Sequence, residues 1–266
     1  MDSFISWIGG KKLLRKRVVE EFPESNTYDR YVEVFGGAGW VLFLKDKHAG
    51  MEVYNDVNGN LVNLFRCVKY HPEALQKELE FTLMSREQFF DAKNEMKLGN
   101  LTDIQRAARF YVLIKESFGA DIRSFCVRPK NLFNAVEYIL TVSQRLVNVV
   151  IENQDFAQIL KTYDKESALF YLDPPYYSAE KYYADEFMPE DHIRLKNALE
   201  KIKGRFVLSY NDCEFIRRLY SGSYTIIEVD RTNNLIKRGG KPRYKEILIK
   251  NYDNEKVIIK LNMTIM

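Results

Sequence analysis

A chain of 266 residues, 46% of them hydrophobic, is long and apolar enough for one large α/β domain with a real core, which excludes a disordered polypeptide. Its 40 basic and 37 acidic side chains leave a formal charge of only +3, so bulk charge does not announce a nucleic-acid partner. Three scattered cysteines and three unclustered histidines exclude a disulfide framework and argue against a bound metal; the expected compartment is the cytoplasm, with no membrane partner, since no apolar run approaches the roughly 20 residues that span a bilayer and no signal-peptide pattern opens the chain.

In chain order, Trp7-Ile8-Gly9-Gly10-Lys11 comes first, before a helical pattern at 13–22. A tryptophan beside two glycines and a lysine suits an adenosine with an anionic group, or equally a hydrophobic anchor at a Gly-Gly turn. Residues 11–17 carry five cations and no acid. A strand-like run at 31–35 leads into Glu33-Val34-Phe35-Gly36-Gly37-Ala38-Gly39, where glycines let a ligand approach the backbone. The glycine spacing is not that of the usual dinucleotide fingerprint. A helix is expected over 40–47. The second strand, 51–55, ends in Asn55-Asp56, and Asp56 follows Gly37 by nineteen residues. That is the place of a ribose-binding carboxylate in nucleoside-binding α/β folds. Asp56 or Asn58 also suits the N-cap of the next helix, 59–70.

Alternation then breaks. Residues 71–146 hold helical patterns at 72–81, 86–97 and 103–117 and an irregular stretch at 118–134, without a strand. This predicts an inserted helical subdomain (71–146) between two parts of a main domain (1–70 and 147–266). A third strand, 147–152, runs into Asp155-Phe156, where a carboxylate and a ring can flank an adenine, or the Asp can cap the helix at 155–161. The fourth run, Ala168-Leu169-Phe170-Tyr171-Leu172, is followed by Asp173-Pro174-Pro175-Tyr176. Here a carboxylate, proline carbonyls with no N–H beside them and a flat ring can hold a planar amine such as that of a nucleobase. The bland reading is a Pro-Pro strand-end turn. Helices at 191–202 and 213–220 alternate with strands at 205–210, 224–229 and 245–251, the last two suiting an antiparallel pair. Residues 231–250 carry seven cations against one acid, Glu246. The expected fold is a doubly wound, mostly parallel α/β sheet with a helical insertion.

The ordered set, spanning nearly the whole chain, resembles the Dam-like, D12-class DNA adenine N6-methyltransferases, a Rossmann-like fold using S-adenosyl-L-methionine. The resemblance rests on the Trp7–Lys11 motif, the glycine loop, Asn55-Asp56 with Asn58, the full Asp173-Pro174-Pro175-Tyr176 motif, Tyr183 and Phe187 after it, and the basic tail. It implies transfer of a methyl group to an adenine flipped out of double-stranded DNA. Asp173, Pro174 and Tyr176 are then catalytic, with Asp173 and the Pro174 carbonyl accepting the two N6–H bonds and Tyr176 stacking on the base. Trp7, Lys11, Phe35, Gly36, Gly37, Gly39, Asp56, Asp155, Phe156 and Asp173 are then cofactor-binding. Cytosine-N4 enzymes usually have Ser at the Asp173 position, and protein-directed enzymes usually Asn. An oxidoreductase is disfavoured by the glycine spacing, and a non-catalytic binding module by the intact Lys11, Asp173 and Tyr176. The resemblance further implies a bacterial or phage-encoded protein, and nothing in the sequence speaks to a restriction endonuclease partner. It fades in the insertion, which the resemblance makes the target-recognition subdomain (71–146): residues 116–125 depart from the family's signature and only Phe133-Asn134 agrees with its later Phe-Asn, so the target sequence is not legible. Arg123, Arg128, Lys130 and Asn131 are base-contact candidates, and Arg231, Lys237, Arg238 and Lys241 are phosphate candidates.

Overall fold

A computed structural model of the protein describes residues 1–80, 82–126, 132–177, 187–222, 224–232 and 243–253. Its centre is a seven-stranded sheet: β1 (Arg30–Glu33), β2 (Met51–Asn55), β3 (Val149–Glu152), β4 (Ala168–Leu172), β5 (Arg205–Asn211), β6 (Thr225–Thr232) and β7 (Arg243–Lys250), in the order β3-β2-β1-β4-β5-β7-β6. The first five strands are parallel, and β7 runs antiparallel between β5 and β6. All five residues of β4 are buried, as a parallel strand covered on both faces requires.

Side chains alternate across the sheet. Tyr31, Tyr54, Leu169, Tyr171 and Val207 enter one apolar cluster, while Val32, Val53, Phe170, Leu172 and Phe206 enter the other. The first cluster is covered by α2 (Gly59–Tyr70), α3 (Pro72–Leu79), α5 (Asp103–Glu116) and α6 (Phe133–Leu146). The second is covered by α7 (Phe156–Tyr163), α8 (Pro189–Leu199) and α9 (Glu214–Leu219). A short α1 (Arg15–Glu20) precedes the sheet, and α4 (Arg86–Leu98) packs on α5 through Phe89, Ala92 and Leu113. Among the described residues, no helix is long and apolar enough to cross a membrane.

One local expectation is corrected, and one helix appears where none was assigned. Residues 40–47 form no α-helix, only a 3₁₀ turn at Leu42–Leu44. Gly39 enters it with φ +68°, Lys45 leaves it extended, and Phe43 is pinned among Phe4 and Phe65. Conversely, the fourteen residues of α6 carry a helix that the β-branched Val136, Ile139, Thr141 and Val142 conceal in sequence. Its buried Ile139, Val142 and Leu146 have helical spacing. Near its end, Arg145 makes paired bonds of 2.7 and 2.8 Å with buried Glu52 on β2, tying this helix to the sheet.

β1 pairs with β2 on one side and β4 on the other, so the chain winds outward in both directions from this pair. In open α/β sheets the crevice beyond the strand ends at such a reversal is where ligands bind. Here it lies between the glycine loop after β1 and Asp173 after β4.

Candidate active site

A cavity at this crevice is lined by Trp7, Lys11, Phe35, Gly36, Gly37, Asp56, Asp155, Phe156 and Asp173. Five separate segments singled out in the sequence therefore converge: the N-terminal motif, the glycine loop, and the strand ends after β2, β3 and β4. Gly39, Pro174 and Tyr176 are not among the residues that line it. Gly39 donates its N–H to the Gly36 carbonyl at 2.7 Å and shapes the loop. A Cβ on Gly36 would overlap the Tyr54 ring, whose hydroxyl donates to the Gly37 carbonyl at 2.7 Å, so the loop lies flat on an aromatic floor. A Cβ on Gly37, at φ +50°, would come 3.2 Å from the Trp7 ring.

The two open N-cap questions are resolved differently. Asn58 caps α2, its side chain accepting from the N–H groups of Asn60 and Leu61. Asp56 instead accepts the Gly37 N–H at 2.8 Å and the Asn58 N–H at 2.8 Å, which fixes its carboxylate beside the glycine loop. Asp155 does cap α7, accepting the Ala157 N–H at 2.9 Å. It also meets the Arg194 guanidinium with both oxygens, at 2.8 and 2.9 Å. Partial burial alone would raise the Asp155 carboxyl, but these hydrogen bonds hold it below its ordinary range. Arg194 lies 3.9 Å over the Phe156 ring.

At the other end, Lys11 is buried and its Nζ lies 2.7 Å from Asp173 Oδ1. It is also 3.8 Å from Glu246 Oε2 and 4.5 Å from the centre of the Tyr176 ring. Tyr176 donates its hydroxyl to Glu246 Oε2 at 2.7 Å. Burial, then the Asp173 and Glu246 carboxylates, push the phenol well above its usual range, so it stays a donor. Glu33, on the cavity wall and 2% exposed, is pushed up by burial to about 8, with the nearby Asp173 charge adding to the rise.

The sequence matches the family described as D12 class N6 adenine-specific DNA methyltransferase over residues 7–235. That is most of the chain. The chain belongs to this family. It is 29% identical to the Type II methyltransferase M1.LlaDCHI of Lactococcus lactis subsp. cremoris, with 94% of this chain and 95% of that protein covered. M.CviBI of Paramecium bursaria Chlorella virus NC1A is 25% identical (95% and 100% covered), and M.MjaIII of Methanocaldococcus jannaschii is 28% identical (94% and 98%). The protein is thus a DNA methyltransferase of the adenine N6 class, and DNA is its substrate.

Of the DNA-contact candidates, Arg123 is exposed on a loop whose Ala120, Asp121, Ile122 and Arg123 reach the cavity from the segment after α5. Ala120 and Ile122 take φ +62° and +53°, unusual for residues with a side chain, above all a β-branched one. Arg231 lies on β6. Arg128, Lys130, Asn131, Lys237, Arg238, Lys241 and the expected loop residue Tyr183 lie outside the described residues. Phe187 is buried against Phe35 and Phe156. Reasoning from sequence missed Glu33, Arg194 and Glu246 as site residues. For Glu246 a signal existed, since it is the one acid in a long basic run and sits on a predicted strand.

Proposed function

We propose that this methyltransferase moves a methyl group from S-adenosyl-L-methionine to the N6 amine of an adenine flipped out of double-stranded DNA, at a specific site. The observation that carries the reading is Asp173 at the end of β4, ion-paired to buried Lys11 and facing the glycine loop across one cavity.

The residues present fit the cofactor. Glycines lie flat where bulk would collide with Tyr54 or crowd Trp7, one buried cation can meet a carboxylate, and Asp56 and Asp155 are held at strand ends where ribose hydroxyls and an adenine amine need acceptors. When bound, the cofactor supplies an electrophilic methyl on a sulfonium. The protein's part is orientation and charge. The N6 lone pair of adenine is conjugated with the ring, and the base is buried in the duplex, so extrusion at a cost of a few kcal/mol comes first. Tyr176 stacks on the extruded base, a contact of about 1–3 kcal/mol. Asp173 and the Pro174 carbonyl accept the two N6–H bonds and aim the lone pair, and orientation of this kind supplies much of the rate. The carboxylate also favours the cationic amine formed on methylation. Lys11 fixes the Asp173 side chain. The basic residues of 11–17 and 231–250 other than the buried Lys11 and Lys250 then meet phosphates and make binding salt-sensitive. The relatives' names support a further step, that the chain is the modification arm of a Type II restriction-modification pair.

The test is to incubate the protein with unmethylated duplex DNA and methyl-labelled S-adenosylmethionine, digest, and identify the labelled nucleoside. Label is expected in N6-methyladenine and absent with Asp173→Ala. Label in N4-methylcytosine, or none in DNA from the unaltered protein, rules the reading out.

A further inference from the structure

Glu246 stands in the middle of β7, opposite Asn211 on β5 and Val229 on β6, and is 2% exposed. A carboxylate taken out of water at this depth is costly unless donors meet it. Two donors that it meets belong to the active site: the Tyr176 hydroxyl at 2.7 Å and, more distantly, the Lys11 ammonium at 3.8 Å. It therefore touches two of the elements that shape the reaction while lying on a strand that lines neither the glycine loop nor the Asp-Pro-Pro-Tyr turn. Resting on the function proposed above, we propose that Glu246 is a positioning residue for methyl transfer, acting through Tyr176.

The geometry explains what it does. The Tyr176 ring must present one face to a base, yet the turn that carries it contains two prolines and no regular structure. Among the contacts that hold the ring are Lys11 at 4.5 Å from its centre, Tyr210 at 6.1 Å with planes inclined by 40°, and the hydroxyl bond to Glu246. The last is directional and acts at the far end of the ring, so it fixes the ring's tilt. The phenol is held protonated beside a carboxylate, which makes the bond a charge-assisted one. The next residue is clamped in parallel. Asn211, the β5 partner of Glu246, donates its Nδ2 to the Tyr177 carbonyl at 3.1 Å, and the Tyr177 ring stacks on Phe215 at 4.3 Å. The paired strands β7 and β5 thus put a carboxylate and an amide under the catalytic turn. The second, weaker contact of Glu246 keeps Lys11 close to Asp173, so one side chain registers the stacking ring and the acceptor pair together.

The experiment compares Glu246→Ala, Glu246→Gln, Tyr176→Phe and the double variant Glu246→Ala/Tyr176→Phe, using unmethylated plasmid DNA and labelled S-adenosylmethionine. Glu246→Ala is expected to lower kcat by roughly 10- to 100-fold, the cost of a misplaced reacting group, with KM for the cofactor changed less than three-fold. Glu246→Gln keeps an acceptor for the phenol and is expected to remain within about five-fold of the unaltered enzyme. The double variant is expected to be no slower than the slower single variant. Urea unfolding of the same proteins gives a readout independent of activity: the losses in the unfolding constant are expected to fall short of multiplying by about five-fold or more, a coupling typical of groups in contact. The inference is overturned if Glu246→Ala keeps kcat within two-fold, if Glu246→Gln is as slow as Glu246→Ala, or if the rate losses of the single variants multiply. If Glu246→Ala does not fold, Glu246→Gln is paired with Tyr176→Phe, and multiplying losses in that cycle overturn it too. An unaltered protein that labels no DNA would instead defeat the functional reading, while coupling in urea would still report the contact.

Discussion

Both ends of the cavity join an aspartate at a strand's end to a basic side chain, and they differ in burial. At the β4 end the side chains of Lys11 and Asp173 are 3% and 15% exposed, with Glu246 (3%) beside them. At the β3 end the side chains of Arg194 and Asp155 are 46% and 45% exposed. Charges out of water interact strongly and are costly to leave unpaired, whereas exposed pairs are screened and add little. The same chemical pairing therefore builds a buried, tightly coupled floor at the β4 end and a solvent-screened rim at the β3 end.

The sharpest way to break this comparison is to remove the buried cation. Lys11→Met leaves Asp173 and Glu246 as neighbouring carboxylates without their ammonium. A loss of about 3–5 kcal/mol in urea unfolding is expected, together with loss of methyl transfer. A loss below about 1 kcal/mol would show that the two ends do not differ.

Glu33 sharpens the comparison through pH. Its folded carboxyl ionises near 8 and its unfolded one near 4.5. Between these values the folded protein holds a proton that the unfolded chain has released, so stability falls as pH rises through this window. Glu33→Gln can still accept the Tyr31 hydroxyl bond, which is 2.7 Å in the unaltered protein, and has no proton to lose. The Tm of Glu33→Gln minus that of the unaltered protein is expected to be smallest near pH 4.5, to grow with pH, and to level off above 8. A difference that is flat with pH would remove Glu33 from the buried end.

The pattern of what could be read from the residues follows the same division. Strand ends were legible because parallel strands are continuous apolar runs and ligand sites sit where these runs stop, which located Gly36, Gly37, Asp56, Asp155 and Asp173 together. The Asp173-Pro174-Pro175-Tyr176 turn was legible through its unusual composition. What stayed hidden was pairing across long separations. Glu246 lies 70 residues from Tyr176, and Arg194 39 residues from Asp155, and only the packing of β7 and α8 brings them together. The 40–47 segment was misread because a short apolar run satisfies the helical period without the length to form a helix. α6 was missed because its β-branched residues have strand preferences that tertiary packing overrides.

The smallest effect belongs to the rim. Arg194→Ala removes an exposed pair with Asp155, a second with Asp191 at 2.9 Å and a cation–π contact with Phe156. Exposed pairs are worth about 0–1 kcal/mol each and the ring contact about 0.5–1, so the expected loss of stability is near 1 kcal/mol and shrinks in high salt. Arg194 grips both Asp155 oxygens and covers one Phe156 face, while the ring also contacts Phe35 and Phe187. A cofactor adenine at this end would meet a carboxylate whose direction the guanidinium sets. Its loss is expected to weaken cofactor binding a few-fold by calorimetry while kcat at saturating cofactor stays within two-fold. That outcome is the reverse of the split expected at Glu246, where kcat falls and the cofactor KM holds. If Arg194→Ala lowers kcat as much as Glu246→Ala does, the rim takes part in positioning the reacting groups, and burial alone does not divide the labour of the site.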